Sequence, residues 1–260
     1  TKEDISEKSK IVDYITELHK KYKQKTIKRK IASVKAYYNY LEEHEIINDN
    51  PFRFIKVKFK ETKVLPRIIP REEIEQLLNY MYSLGDRDNN KRKKYWLRDI
   101  AVIETLFATG ARVSEVSNIR MESVNLNTGL IRIMGKGGKE RYLQIGSSDI
   151  LKVLKKYYDQ NIDEIKKSGY FFVNSRGCRY TEQSIRLMLK KYTKLAGIER
   201  NITPHMFRHS FATYLIEEGV DISCVQQILG HSSIKTTQIY IHVAAKIQAE
   251  NLREMNPRNR

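Results

Sequence analysis

Along most of the chain, apolar residues return every three to four positions, the period of a helix with one buried face. Ile5 to Lys21 reads as one such segment, with Ile11, Ile15, Leu18 and Tyr22 at helical spacing. Thr26 then caps a second segment whose inward stripe is Ile27, Ile31, Val34, Tyr38 and Leu41, and Asn50-Pro51 closes the unit. The same period predicts helices from Arg71 to about Ser83, from Leu97 to Thr109 with a stop at Gly110, from Val113 to Ile119, and from Asp149 to Lys167. It continues from a Thr181 cap to Gly197, from Thr203-Pro204 to Gly219, and from an Asp221 cap to Leu229-Gly230. Two more helices are expected beyond, one capped by Ser232 or Ser233 and carrying Tyr240, the other from Ala244 to Met255. A period of two is confined to Leu130–Met134 and Glu140–Ile145, which flank Gly135-Lys136-Gly137-Gly138-Lys139 as a hairpin with a cationic tip, and to the short run Tyr170–Val173. The pattern therefore reads as mainly α with a small antiparallel β-sheet, an α+β fold class.

Breaks in the pattern divide the chain. Residues 1–59 are entirely helical in character; 60–70 hold two prolines, many charges and no periodicity, and read as a linker; 71–260 form a second domain. Two helical segments bury little, so the first is expected to be part of a larger helical domain. The chain begins with Thr rather than Met, which suggests an excised or processed fragment. The polar run Gly85 to Lys94 is expected to be a loop.

Charge changes the picture most. A net charge of +17 over 260 residues favours a polyanionic partner, nucleic acid before a membrane surface. No run is long enough for a transmembrane helix, and no signal peptide is visible. Lys28, Arg29, Lys30 and Lys35, between the apolar positions of the second helix, form a basic face suited to phosphates, although a merely solvated face has the same pattern. Cys178 and Cys224 are too few and too isolated for a disulfide framework or a cysteine-rich zinc site. GKGGK lacks the spacing of a phosphate-binding P-loop, and HMFRH lacks the glutamate of the zinc motif H-E-x-x-H, so neither ATP nor a metal is implied.

Candidate chemistry gathers in four segments. A tyrosine hydroxyl, with an ordinary pKa near about 10, is a weak nucleophile that needs cations around a phosphate target and groups to manage protons. Arginine pairs with two phosphate oxygens at once, and lysine can donate a proton to a leaving oxygen. Arg112, Lys136, His205, Arg208, His231 and Tyr240 supply such groups, with His205 and Arg208 on one helix face at i and i+3. Taken singly, each also has an ordinary structural reading: a helix-end charge, a turn residue, a satisfied histidine, a core tyrosine.

Jointly they match a pattern. ATGARVSEV (Ala108 to Val116), GKGGKER (Gly135 to Arg141), HMFRHSFAT (His205 to Thr213) and LGHSSIKTTQIYIHV (Leu229 to Val243) resemble the tyrosine recombinase family in motif, order and spacing, from Arg71 to the end. The resemblance implies a site-specific DNA recombinase or integrase that cuts and rejoins duplex DNA through a 3′-phosphotyrosyl intermediate. Tyr240 would be the nucleophile. Arg112 and Arg208 would bind the non-bridging oxygens, Lys136 would protonate the leaving 5′-hydroxyl, His205 would help deprotonate Tyr240, and His231 would hydrogen-bond the phosphate. Glu115 would orient a neighbour rather than react.

Lys28, Arg29, Lys30, Lys35, Lys139 and Arg141 are the expected DNA-binding residues. By resemblance, 1–59 is a partial core-binding (SAM-like) domain, and 71–260 a catalytic domain whose last helix docks in trans. The partners implied are double-stranded DNA and three further copies of the chain, a homotetramer on two sites with a dimer on each, with accessory proteins possible and no membrane. No cofactor is implied, and the location expected is the cytoplasm, at the nucleoid. Mobile-element integration and excision is the first reading of the role. Xer-type dimer resolution is the second; type IB topoisomerase-like relaxation and non-catalytic DNA binding follow.

Overall fold

The fold is taken from a computed structural model describing residues 2–55, 67–85, 92–135, 138 and 140–230. The chain divides into two compact units, Thr1–Val64 and Leu65–Arg260.

In the first unit, helix α1 (Lys2–Lys21) packs on helix α2 (Gln24–Glu43), followed by a 3-10 turn (Pro51–Phe54). Ile11, Leu18, Ile27, Ile31 and Phe52 form its core, with Ile15, Val34 and Tyr38 packed beside them. The predicted stripe is thus largely the buried one, but Tyr22, expected to belong to it, is exposed. Helix α2 starts two residues before Thr26, with Lys23 at the cap position. Asn50 ends the unit as a side-chain hub: its Oδ1 accepts from the Phe52 N–H (3.0 Å), and its Nδ2 donates to Asn39 Oδ1 (2.8 Å). Lys28, Arg29 and Lys35 are exposed; Lys30 is half-buried, its ammonium 4.7 Å from the centre of the Tyr22 ring.

The second unit is built on helix α4 (Arg92–Thr109), which packs against α3 (Arg71–Gly85), α5 (Val113–Ser117), α6 (Ser148–Gln160), α8 (Glu182–Leu195) and α9 (Pro204–Glu217). Ile100, Ala101, Val102, Ile103 and Leu106 are fully buried, and the polar Arg98, Asp99, Glu104 and Thr105 are buried too, so this central helix is buried nearly all round. Its buried Asp99 binds Arg98 (2.6 Å) and accepts from the hydroxyls of Tyr180 (3.3 Å) and Tyr192 (3.1 Å), joining α8 to α4. Helix α4 begins at Arg92, inside the run expected to be loop.

Strands β1 (Val124–Asn125), β2 (Leu130–Met134) and β3 (Glu140–Gln144) make one antiparallel sheet in that order, with Ile131 opposite Leu143 and Ile133 opposite Arg141. Two expectations are corrected. The helix expected over 149–167 is broken at Asn161 into α6 and α7 (Ile162–Ser168), because Asn161 turns its Nδ2 onto the Tyr157 carbonyl (2.8 Å). Tyr170–Val173 is held by two isolated bridges, Arg120 to Tyr170 and Val173 to Arg179, rather than forming a strand.

Helix α9 begins with Pro204 at its first turn, but Thr203 makes no side-chain cap there. The helix is instead fixed from outside. Ile69 donates its N–H to Ser210 Oγ (2.8 Å), and its carbonyl accepts from the Tyr214 hydroxyl. Helix α10 (Ile222–Leu229) is capped by Asp221 as expected and ends on Gly230 in the left-handed region, φ 64°.

Candidate active site

Two helix ends and one strand position the charged groups. Helix α4 stops at Gly110, whose φ of 58° favours glycine; a Cβ there would collide with the Phe211 ring. The chain then turns through Ala111 to Arg112, immediately before α5. Arg112 donates its backbone N–H to Glu115 Oε2 (2.7 Å) and its Nη1 to Glu115 Oε1 (2.7 Å). The first of these bonds is half of a capping box, the third residue of a helix satisfying its cap. The Arg112 side chain remains 37% exposed, whereas that of Glu115 is 6% exposed.

Glu115 has a second partner. Arg141, on β3, grips it with a two-pronged fork, Nη1 to Oε1 (2.9 Å) and Nη2 to Oε2 (2.7 Å). Burial alone would raise the Glu115 pKa. The bonds from Arg141 and Arg112 outweigh it and pull the carboxyl down to about 2. Arg141 also donates from Nε to the Ile228 carbonyl (3.1 Å), and its side chain is only 13% exposed. This departs from its expected place on the DNA-binding surface: the guanidinium is turned inward and engaged with a carboxylate.

Arg208 is buried on α9, with Nη1 donating to the Gly110 carbonyl (2.9 Å) and Nη2 to the Leu229 carbonyl (2.7 Å). These acceptors end α4 and α10, where carbonyls lack helical partners and the helix dipole is negative. They hold the fork without carrying a formal charge to cancel its own. His205, one turn earlier on α9, is exposed. His209 is half-buried; burial, then the nearby charges of His205 and Arg208, lower its pKa and favour the neutral ring.

Of the sequence-predicted catalytic residues, Arg112, His205 and Arg208 lie within this unit. Arg112 and Arg208 are joined through the short Gly110–Arg112 turn. Lys136, Lys139, His231 and Tyr240 lie outside the described residues. Lys28, Arg29, Lys30 and Lys35 belong to the first unit. Among the described residues, no three His, Cys, Asp or Glu side chains gather as a metal site, and no helix is long and apolar enough to cross a membrane.

Sequence reasoning missed the inward role of Arg141, although a signal was present. In a half-buried strand, alternate residues share a face, so Arg141 belongs with Leu143 and Ile145 rather than with Glu140, Tyr142 and Gln144. Arg208's carbonyl partners left no such trace.

The Phage integrase family model matches residues 67–246. The chain belongs to that family, the tyrosine recombinases. It is 47% identical to a tyrosine recombinase of Agathobacter rectalis over 246 residues, covering 94% of this chain and 80% of that one. It is also 34% identical to tyrosine recombinase XerD of Listeria innocua, covering 99% and 85%. Among solved structures, the recombinase resembles XerA (28% identity, TM-score 0.61, covering 96% and 83%). XerH bound to its difH substrate after cleavage shares the fold, with TM-score 0.78 at 24% identity, covering 95% and 72%. The recombinase thus breaks and rejoins DNA strands in site-specific recombination.

Proposed function

We propose that the recombinase cleaves each strand by attack of the Tyr240 hydroxyl oxygen on the scissile phosphorus. The bond to the 5′ oxygen breaks and a 3′-phosphotyrosyl ester forms. His205 takes up the tyrosine proton, Lys136 gives one to the departing 5′ oxygen, and His231 hydrogen-bonds a phosphate oxygen. Arg112 and Arg208 bind the two non-bridging oxygens, where charge builds as five oxygens crowd the phosphorus. The phosphotyrosine keeps the bond energy, so a 5′-hydroxyl from a partner strand can reverse the step without ATP or metal.

The observation that carries this assignment is the fixing of the two arginines. One, in the turn after α4, is set by Glu115; the other, on α9, is set by two helix-end carbonyls, one of which belongs to Gly110 of that same turn. Arginines held in advance stabilise a transition state without a cost of reorganisation at the moment of reaction. The exchange takes place in a homotetramer on two duplexes, one dimer per site, at the nucleoid in the cytoplasm. Lys28, Arg29, Lys30, Lys35 and Lys139 bind the DNA backbone.

The first reading of the role is integration and excision of a mobile element. The matches to relatives named XerD and XerC over nearly the whole chain favour a second, resolution of chromosome or plasmid dimers. Covalent capture tests both. The protein is mixed with a plasmid carrying its native flanking DNA, in EDTA and without ATP, then quenched in detergent, and protein-linked DNA is sequenced. Recurrent adducts at one pair of positions are expected, and none with Tyr240→Phe. Adducts at element ends support integration, and adducts at one chromosomal site support dimer resolution. Scattered adducts would instead indicate topoisomerase-like relaxation.

A further inference from the structure

Glu115 is shared by two guanidiniums. Arg112 reaches it along its own helix turn, and Arg141 grips it from β3 with both Nη atoms. One carboxylate between two arginines leaves one positive charge in the cluster; a lone Arg112–Glu115 pair would leave none. Arg141 has a second hold. Its Nε bonds the Ile228 carbonyl, one residue before the Leu229 carbonyl that takes Arg208. Its side chain also lies so near the Gly230 backbone that a Cβ there would approach Arg141 Cδ at 3.0 Å. A single buried side chain therefore ties the hairpin strand, the turn bearing Arg112 and the end of α10.

We propose that Arg141 is a positioning residue for strand cleavage: by holding Glu115 it fixes the direction of the Arg112 guanidinium and keeps it from being neutralised. Without Arg141, Glu115 collapses onto Arg112 as a closed ion pair, and the charge available to the phosphate falls. Arg141 does not itself touch the DNA. This role rests on the assignment of Arg112 to the scissile phosphate.

The test uses a synthetic nicked duplex containing the junction recovered by covalent capture, with the full chain in excess. It is run at a temperature where circular dichroism shows every variant folded. Arg141→Met is expected to slow adduct formation about 10- to 100-fold, the scale of a misplaced catalytic group, while Kd stays within about 3-fold and its salt dependence is unchanged. Arg141→Lys, with one charge and no fork, should recover only part of the rate. The double variant Arg141→Met with Glu115→Gln should be no slower than the slower single variant, because the two act through one linkage. On a duplex whose scissile phosphate is an uncharged methylphosphonate, the Arg141→Met deficit should shrink to within about 3-fold, since one of the two non-bridging oxygens is gone and the remaining one carries one less unit of charge for the two arginines to offset.

Wild-type rates for Arg141→Met would overturn the role, as would a deficit of equal size on the methylphosphonate, which marks a purely structural defect. A weaker Kd with a salt slope reduced by about one would make Arg141 a phosphate contact instead. Loss of cleavage in Arg112→Ala but not in Arg141→Met would leave the functional assignment standing and sink this role alone. If the wild-type chain forms no adduct, the assignment fails and takes the role with it.

Discussion

A carboxyl between two guanidiniums is a stability device as well as a steering one. Glu115 has its folded pKa lowered from 4.5 to about 2. A depressed carboxyl contributes stability that is present above the unfolded pKa and is lost as pH falls through the folded one. The shift corresponds to about 3 kcal/mol at neutral pH. Glu115→Gln should therefore be less stable than the parent by about that amount at pH 7, with the gap narrowing between about pH 4.5 and pH 2. Urea unfolding of both proteins at several pH values checks this, since the other carboxyls titrate in both and cancel in the difference. A gap that stays constant with pH would show that Glu115 contributes by shape and hydrogen bonding rather than by charge.

The functional groups are delivered by the places where helices stop. Gly110 ends α4 at a positive φ against the Phe211 ring, and its carbonyl then serves Arg208. Gly110→Ala adds a collision to the backbone strain and should cost at least about 2 kcal/mol. Gly219→Ala, at φ 86° with open space around it, meets the strain alone and should cost about 1 kcal/mol. Equal losses in the two variants, read from urea midpoints, would mean that the Phe211 contact gives way without penalty. Much of this architecture was legible beforehand. The stripes of α1 and α2, the Thr181 cap of α8, the stop at Gly110, the Asp221 cap and the hairpin strands follow from apolar spacing and cap chemistry, which are local. What the pattern concealed lay in side-chain partners, one of them distant in sequence, and in an element too short to show a period. Asn161 breaks a helix by bonding a carbonyl of its own turn, and the two-residue strand β1 is too short to show a period. Arg141 looked like surface charge because Glu115 lies 26 positions away. Charge type suggested DNA where strand alternation pointed inward.

At the scale of the whole chain, the charge of +17 is far more than the site consumes. The surplus is expected to act along the duplex backbone, so binding to any duplex should weaken about a thousandfold or more between 50 and 200 mM salt, as counterion release requires. Fluorescence anisotropy with a duplex of arbitrary sequence measures it, and an affinity insensitive to salt would rule out extensive phosphate contact. The anchoring of Arg208 and Arg141 has a further consequence. Three of their acceptors are peptide carbonyls, of Gly110, Ile228 and Leu229, and every residue type carries one. Side chains in the last turn of α10 can therefore drift through many substitutions that preserve the helix and its packing without disturbing either guanidinium. Heritable constraint falls instead on the residues that decide where the helices end. A catalogue of tolerated mutations should accordingly show variability at Gln226 and Gln227 beside near-invariance at Gly110 and Gly230.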